Sequence, residues 1–404
     1  MKLIIKKISE KIKYFDWMLF IPYIFLCATG IIMVYSASSI NLSYVSTNSS
    51  QYMIKQVLYV FIGLVLLFLF SHISLKKFTN RIGLMVWWGI LAVLLFVARF
   101  LMPAVNGAHG WISLGAFSIQ PAEFCKVYLV LFCAYCFANW SKKEQQGIQV
   151  NKKKPYIFIA LLLFLIIIEP DTGGLMINLA IVLIMFITCR NSEQSFCYRK
   201  LGLKISNLFI ILASVVMCII ALQLPRLSFI QGLKKWYYGI DRFIAFYNPF
   251  KYIQGAGRQL VNSYYAISNG GFFGLGLGNS IEKRGYLPEP YTDFILSVIA
   301  EELGFIGTAV ILLVLMFIIL RIFLIGIRAN NLYDRLICYG VGMFMFVQII
   351  FNVGAVVGLL PITGVTLPFI SYGGSSMFVL SMALGLVMGI SANQKRHLEK
   401  DPIE

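Results

Sequence analysis

At 404 residues, 59% hydrophobic and only 13% charged, with a mean hydropathy of +0.81, the chain is excluded from the soluble globular class. Its net charge of +17 would suit nucleic acid, but the lysines and arginines crowd alternate segments between apolar runs, which excludes that partner and matches the positive-inside pattern. The expected fold is an all-α polytopic membrane protein, with runs long enough to cross a bilayer core of about 30 Å.

In chain order, residues 1–16 interleave Leu3, Ile4, Ile8, Ile12 and Phe15 with five lysines. That suits a cytosolic helix lying on an anionic inner leaflet. The apolar run from Trp17 to Val34 is too long for a signal-peptide core of about 7–15 residues, so it reads as an uncleaved first span. The length rule predicts ten spans, at 17–38, 53–71, 82–102, 121–139, 155–168, 174–189, 206–224, 293–322, 335–358 and 375–392. Residues 156–189 as one helix would measure about 50 Å, so the break must fall at Glu169-Pro-Asp-Thr-Gly173. Basic residues gather at Lys76, Lys77 and Arg81, at Lys142, Lys143 and Lys152 to Lys154, and at Lys395, Arg396 and Lys400, whereas 39–52, 103–120 and 359–375 carry none. Ten is even, so both termini are expected in the cytosol, with 393–404 as a cytosolic tail.

One long extracellular loop, 225–292, is expected between spans seven and eight. Trp236, Tyr237, Tyr238, Phe243 and Phe246 beside Lys234, Lys235 and Arg242 favour the headgroup zone, so short surface helices are expected there. Its later glycines permit tight turns. Gly274-Leu-Gly-Leu-Gly278 lacks a Gly-Lys-Ser/Thr and a preceding strand, and is not a nucleotide loop. No internal repeat divides the chain, and residues 1–404 read as a single membrane domain. The eight cysteines lie in apolar spans or basic loops, against a disulfide framework. Cys133 and Cys136 read as buried small residues, and His72, His109 and His397 are too scattered for a metal site, so no metal residue is assigned.

Acids near or within spans cost about 2.5–3.5 kcal/mol each at the bilayer centre and need a reason. Asp293 stands where a proline-broken loop (Pro288, Pro290) enters span eight; Thr292 or Asp293 can cap that helix, or Asp293 can be the chemistry. Glu301 and Glu302 are about 100° apart on the helix, so one should meet a neighbouring span and the other an internal polar pocket, both structurally. Asp171 can start the sixth span, where the dipole favours an acid. Glu123 and Lys126, one turn apart, can pair. With Arg258, Lys283 and Arg284, these acids would suit an outward-open cavity holding a lipid diphosphate. Residue types alone leave that reading tied with an ion-coupled transporter.

Several stretches resemble the SEDS family of bacterial peptidoglycan glycosyltransferases over nearly the full length. They are Val105-Asn-Gly-Ala-His-Gly-Trp-Ile112, Ile119-Gln-Pro-Ala-Glu-Phe-Cys-Lys126, Glu169-Pro-Asp-Thr-Gly173 and Asn248-Pro-Phe250. Further on come Gly276-Leu-Gly-Asn-Ser280, Tyr286-Leu-Pro-Glu289, Thr292-Asp-Phe294, Glu301-Glu-Leu-Gly304 and Gly364-Val-Thr-Leu-Pro-Phe-Ile-Ser-Tyr-Gly-Gly-Ser-Ser376. The wording of 276–280 and 366–376 is closer to the division branch than to the elongation branch.

The resemblance implies ten spans and polymerisation of lipid II at the outer face of the bacterial cytoplasmic membrane, at the division septum. It maps the essential acid, a general base, onto Asp293. Its polar motif residues map onto Glu123, Lys126 and Asp171, and the expected substrate contacts are these with Lys55, Trp111, Arg258, Glu289 and Ser371. Most relatives carry arginine where Gly110 and Lys55 stand, and lysine does not reproduce arginine's bidentate fork. The implied partners are a class B penicillin-binding transpeptidase and other division-site membrane proteins. No cofactor is implied beyond an optional divalent cation with the diphosphate. The rival readings are a lipid II flippase using the same cavity and a non-enzymatic division scaffold.

Overall fold

The computed structural model describes residues 13–44, 49–72, 80–103, 110–113, 115, 117–149, 153–169, 171–194, 246–255 and 257–400. Within them the chain forms α1 (Trp17–Tyr44), α2 (Gln51–His72), α3 (Arg81–Phe100), α4 (Pro121–Gln145), α5 (Lys153–Ile168) and α6 (Thr172–Gln194). A 3-10 turn (Pro249–Tyr252) leads to α7 (Arg258–Gly270), α8 (Ile295–Ile327), α9 (Leu332–Val356) and α10 (Gly374–Lys400). Eight of these helices are long and apolar enough to cross a membrane, and Lys154–Ile168 is a shorter apolar helix. Predicted spans one to six and eight to ten coincide with α1–α6 and α8–α10. The seventh (206–224), most of the expected interfacial helix, residues 225–245 of the long loop, and 401–404 lie outside the described residues.

Local chemistry sets the helix starts. Pro121 opens α4, where its missing N–H removes no helix bond. Asn80 Oδ1 accepts from Gly83 N (2.6 Å) ahead of α3, and Asn331 Oδ1 from Asp334 N (2.7 Å) ahead of α9. The run 156–189 breaks at Glu169–Asp171, as the bilayer length requires. Two departures from the helical expectation are small. Ile112–Ser113 and Ser118–Ile119 form a two-residue antiparallel hairpin, and α10 continues through the predicted tail to Lys400.

The bundle is built around α10. Its apolar window is 94% buried, against 22% for α3 at the edge. Small residues let α2 and α10 approach closely. A Cβ on Gly385 would lie 2.5 Å from Leu67 O, and one on Gly63 would lie 2.7 Å from Ser381 Oγ. On the other side α8 packs against α1 and α9, and α9 against α4 and α6.

α8 is not one continuous helix. At Gly304 the backbone turns to φ +69°, ψ −171°, and the glycine-rich run 270–276 fills the gap. Leu275 N and Gly276 N donate to Glu301 O (2.9 Å) and Glu302 O (3.0 Å), while Phe305 N and Ile306 N donate back to Gly271 O and Phe272 O. The carbonyls and amides freed by the break are thereby satisfied. A Cβ on Gly274 would sit 2.2 Å from Glu302 O, which explains the glycine. Residues 305–327 alone measure about 34 Å, enough to cross a bilayer. The first turns of α8 therefore stand clear of that span, and α7 packs beside them rather than lying free on a surface. Ser263 Oγ of α7 pairs with Ser297 Oγ (2.8 Å) and donates to Val356 O (2.7 Å).

Candidate active site

Asp293 lies in the turn just before α8, half-buried. Glu289, exposed, opens the turn in the left-handed region (φ +45°). Thr292 closes it, its amide reaching Glu289 O at 3.2 Å. The Thr292 hydroxyl stands 2.8 Å from Glu289 O and 3.0 Å from Asp293 Oδ1, and its single proton serves one acceptor at a time. The expected cap does not form: Phe294 holds the N-cap position, with no side-chain cap bond. The Asp293 main chain is held from α9, where Asn352 Nδ2 donates to both Asp293 O (2.7 Å) and Val365 O (2.8 Å).

An aromatic cluster brings α2 against this turn. Tyr291 stacks on Tyr52 (4.6 Å between centroids), Tyr372 meets Tyr52 edge-on (5.0 Å), and Tyr372 N donates to Tyr291 O (2.9 Å). Tyr52, Lys55 and Tyr59 share one face of α2 by helical spacing. Half-buried Lys55 is thus on the Asp293 side, and the next residue, buried Gln56, donates to Ser371 O (3.4 Å). Ser371 itself is buried, with its hydroxyl accepting from Leu367 N (2.8 Å); the sequence reading of a substrate contact meets a turn-closing residue. That turn also holds Phe369 at φ +64°, a conformation rare for a bulky residue, wedged edge-on against Tyr23 at 5.0 Å.

The expected outer-loop cations are largely committed. Lys283 is buried, not free, and pairs with Glu302 Oε1 (2.6 Å) while donating to Ser36 Oγ of α1 (2.9 Å). Arg258 donates to Tyr286 O (3.0 Å) and Gly285 O (2.6 Å), which uses two of its five N–H groups. Arg284 is exposed. Glu301 and Glu302 diverge as their spacing predicts. Glu302 reaches α1 through Ser36, whereas Glu301 accepts from Asn269, from the Ser280 hydroxyl and from the amides of Ile281 and Glu282. Both are structural. Burial, with the Glu301 charge adding, pushes the neighbouring Glu282 carboxyl up to about 7.

A second group of acids gathers where α4, α5 and α6 meet. Lys126, buried, pairs with Glu123 Oε1 at 2.5 Å, its ammonium 5.9 Å from the Phe344 ring centroid. Asp171 Oδ1 accepts from Gly174 N (2.8 Å), the capping role, and Oδ2 accepts from Gln120 Nε2 (3.1 Å). Burial raises its carboxyl, with the Gly174 amide opposing. Glu169, in the same connection, has no hydrogen-bond partner for either oxygen among the described residues. Burial first, then the Asp171 charge, pushes it up to about 8. Gly110 faces it, with a Cβ position 3.9 Å from Glu169 Oε2, and Trp111 follows half-buried. Among the described residues no group of three or more His, Cys, Asp or Glu is arranged to hold a metal ion.

One segment, 359–373, joins the two groups. Gly173 at the start of α6 is tight against it: a Cβ there would meet Val365 Cγ2 at 2.7 Å and Thr363 O at 2.9 Å. Gln348 and Asn352 of α9 hold its other side through Thr366 O (3.0 Å) and Val365 O. Gln348, Asn352 and Gln120 were absent from the sequence-derived site. Two amides one turn apart in an apolar helix were the available signal.

Residues 16–396 match the family described as Cell cycle protein, which groups FtsW, RodA and SpoVE. The "Probable peptidoglycan glycosyltransferase FtsW" of Lactococcus lactis is 35% identical, across 96% of this chain and 94% of that relative. The Stage V sporulation protein E of Bacillus subtilis is 35% identical, across 93% and 96%. Among solved structures, a chain of a peptidoglycan synthase complex superposes with a TM-score of 0.68 at 24% identity, covering 94% of this chain and 98% of that one. The rod shape determining protein RodA of Thermus thermophilus gives 0.62 at 23% identity, covering 94% and 97%. At those identities the superpositions establish the shared fold.

Proposed function

This chain belongs to the cell cycle protein family of FtsW, RodA and SpoVE, and on that premise we propose that it is a peptidoglycan glycosyltransferase polymerising lipid II, with Asp293 as general base. The observation that carries the residue assignment is the Asp293 turn. Its main chain is fixed by Asn352, and its carboxylate stands at the mouth of α8 beside the Thr292 hydroxyl.

In the proposed step, the acceptor sugar's 4-hydroxyl gives its proton to Asp293 as its oxygen bonds to C1 of the donor sugar. The bond from C1 to the diphosphate breaks, inverting the centre from α to β, and undecaprenyl diphosphate leaves with the electron pair. A diphosphate needs no acid to leave, so one carboxylate suffices while cations stabilise the charge that develops. With Lys126 and Lys283 already paired, the cations for that task are Lys55, Arg284 and the remaining donors of Arg258.

The positive-inside pattern supports placing Asp293 on the outer face. Resemblance to the division branch, the FtsW relatives and the fold shared with a peptidoglycan synthase complex support a class B penicillin-binding transpeptidase as partner and the division septum as location. The test is glycan polymer formed from labelled lipid II by the purified chain with its transpeptidase, set beside headgroup transfer in vesicles holding this chain alone. Polymer without transfer is the expected result. Transfer without polymer would make the protein a flippase, and neither would leave a scaffold.

A further inference from the structure

At the end of the bundle opposite Asp293, a cavity of about 390 Å³ is lined by residues from the ends of α8 and α10. Three cations line it, Arg321 from α8, Arg328 just past its end and Lys395 from α10, together with Asn330, Gln394 and Leu398. One carboxylate faces them. Asp16, at the entrance to α1, lies 2.9 Å from Arg321 Nη2 and 4.0 Å from Lys395 Nζ, and accepts from Ser391 Oγ at 2.6 Å. Burial pushes the Asp16 carboxyl up, but Ser391, Arg321 and Lys395 together outweigh it and hold it below the usual range. One acid against three cations leaves a surplus of positive charge.

Among the described residues no second carboxylate lies against that surplus. The Arg328 side chain is exposed and has no hydrogen bond or ion pair among the described residues, and Arg321 Nε is buried without a partner. Lys395 spends one donor on Phe15 O (3.2 Å). Beside the cavity, Leu324 and Ile327 near the end of α8 and Leu398 near the end of α10 are exposed. Cations around a hollow with a largely apolar lining, at the level where two long apolar helices end and beside exposed aliphatic side chains, match a phosphodiester carrying acyl chains. We propose that this cavity binds the phosphate of an anionic phospholipid in the leaflet opposite Asp293, with Arg328 and Lys395 as its main contacts and the chains lying along α8.

The test uses the full-length chain in neutral detergent, with lipid adducts counted by native mass spectrometry. Phosphatidylglycerol should bind at least about tenfold more tightly than phosphatidylcholine of the same chains. The double variant Arg328→Gln/Lys395→Gln should lose roughly 10–25-fold of phosphatidylglycerol binding and leave phosphatidylcholine unchanged. Arg328→Lys, which keeps the charge, should stay within about threefold of wild type. Should the double variant unfold, Arg328→Gln alone carries the test, because that side chain holds nothing else in place among the described residues. Equal binding of the two lipids, or a wild-type affinity in the double variant, would overturn the proposal. Displacement of the lipid by equimolar glycerol 1-phosphate would assign the site to a free phosphate instead. Displacement by a decaglutamate peptide would assign it to an acidic partner segment.

Discussion

At the scale of single residues, some polar groups around the site are committed to the fold and others remain available. Asn352 supports the Asp293 turn and the 359–373 segment at once. Asn352→Leu strips both carbonyls of their donor, at about 1–3 kcal/mol each when buried. Polymerisation by a still-folded variant should fall at least about tenfold, measured as initial rate on lipid II. Lys283 and Glu302 form the opposite case, a buried pair that is purely structural. Lys283→Met leaves an uncompensated carboxylate and should cost about 3–5 kcal/mol, whereas Lys283→Met/Glu302→Gln should recover most of it in thermal unfolding. Asp293, Glu123, Lys126 and Asp171 were legible in the sequence because charges among apolar runs demand a reason. Lys283, expected among the cations for the phosphate, is instead paired, and its partner lies 19 positions away beyond a loop, where local sequence carries no sign of it. Neutral amides such as Asn352 stood out too little, although Gln348 and Asn352 sit one turn apart.

Elements tell a similar story about non-local causes. The start of α8 and the break between α5 and α6 follow from local length and proline signals, and the sequence reading placed both. The interruption at Gly304 does not, because glycine inside a helix costs only about 1 kcal/mol and is common. It is made by the 270–276 run threading back to supply the missing hydrogen bonds. Gly274→Ala should therefore lower thermal stability sharply, by at least about 2 kcal/mol, since its Cβ would collide with Glu302 O while the backbone is held at φ +78°. The same loop predicts a pH dependence. Glu282 binds its proton more tightly folded (about 7) than unfolded (4.5). Its contribution to stability is full below pH 4.5 and is lost as pH rises through 7. Glu282→Gln should flatten that slope and raise the midpoint at pH 8 by roughly 1–3 °C.

Across the whole molecule, the residues just before α1 pack against the end of α10. Lys13 Nζ and Tyr14 Oη both reach Glu399 Oε2, at 2.8 and 2.6 Å, at the end opposite Asp293. The start of α1 and the end of α10 therefore lie together, while the seventh expected span falls outside the described residues. Sequence alone could count spans from hydropathy, yet could not show that segment 359–373 unites two sets of acids, because that depends on helix packing across the bundle. The central claim remains the role of Asp293, and the most direct measurement is the initial rate of lipid II polymerisation, with the transpeptidase present, for wild type, Asp293→Glu and Asp293→Asn. The account predicts at least about a hundredfold loss for Asp293→Asn with unchanged thermal unfolding, and partial activity for Asp293→Glu. An Asp293→Asn variant that polymerises within about twofold of wild type would contradict it.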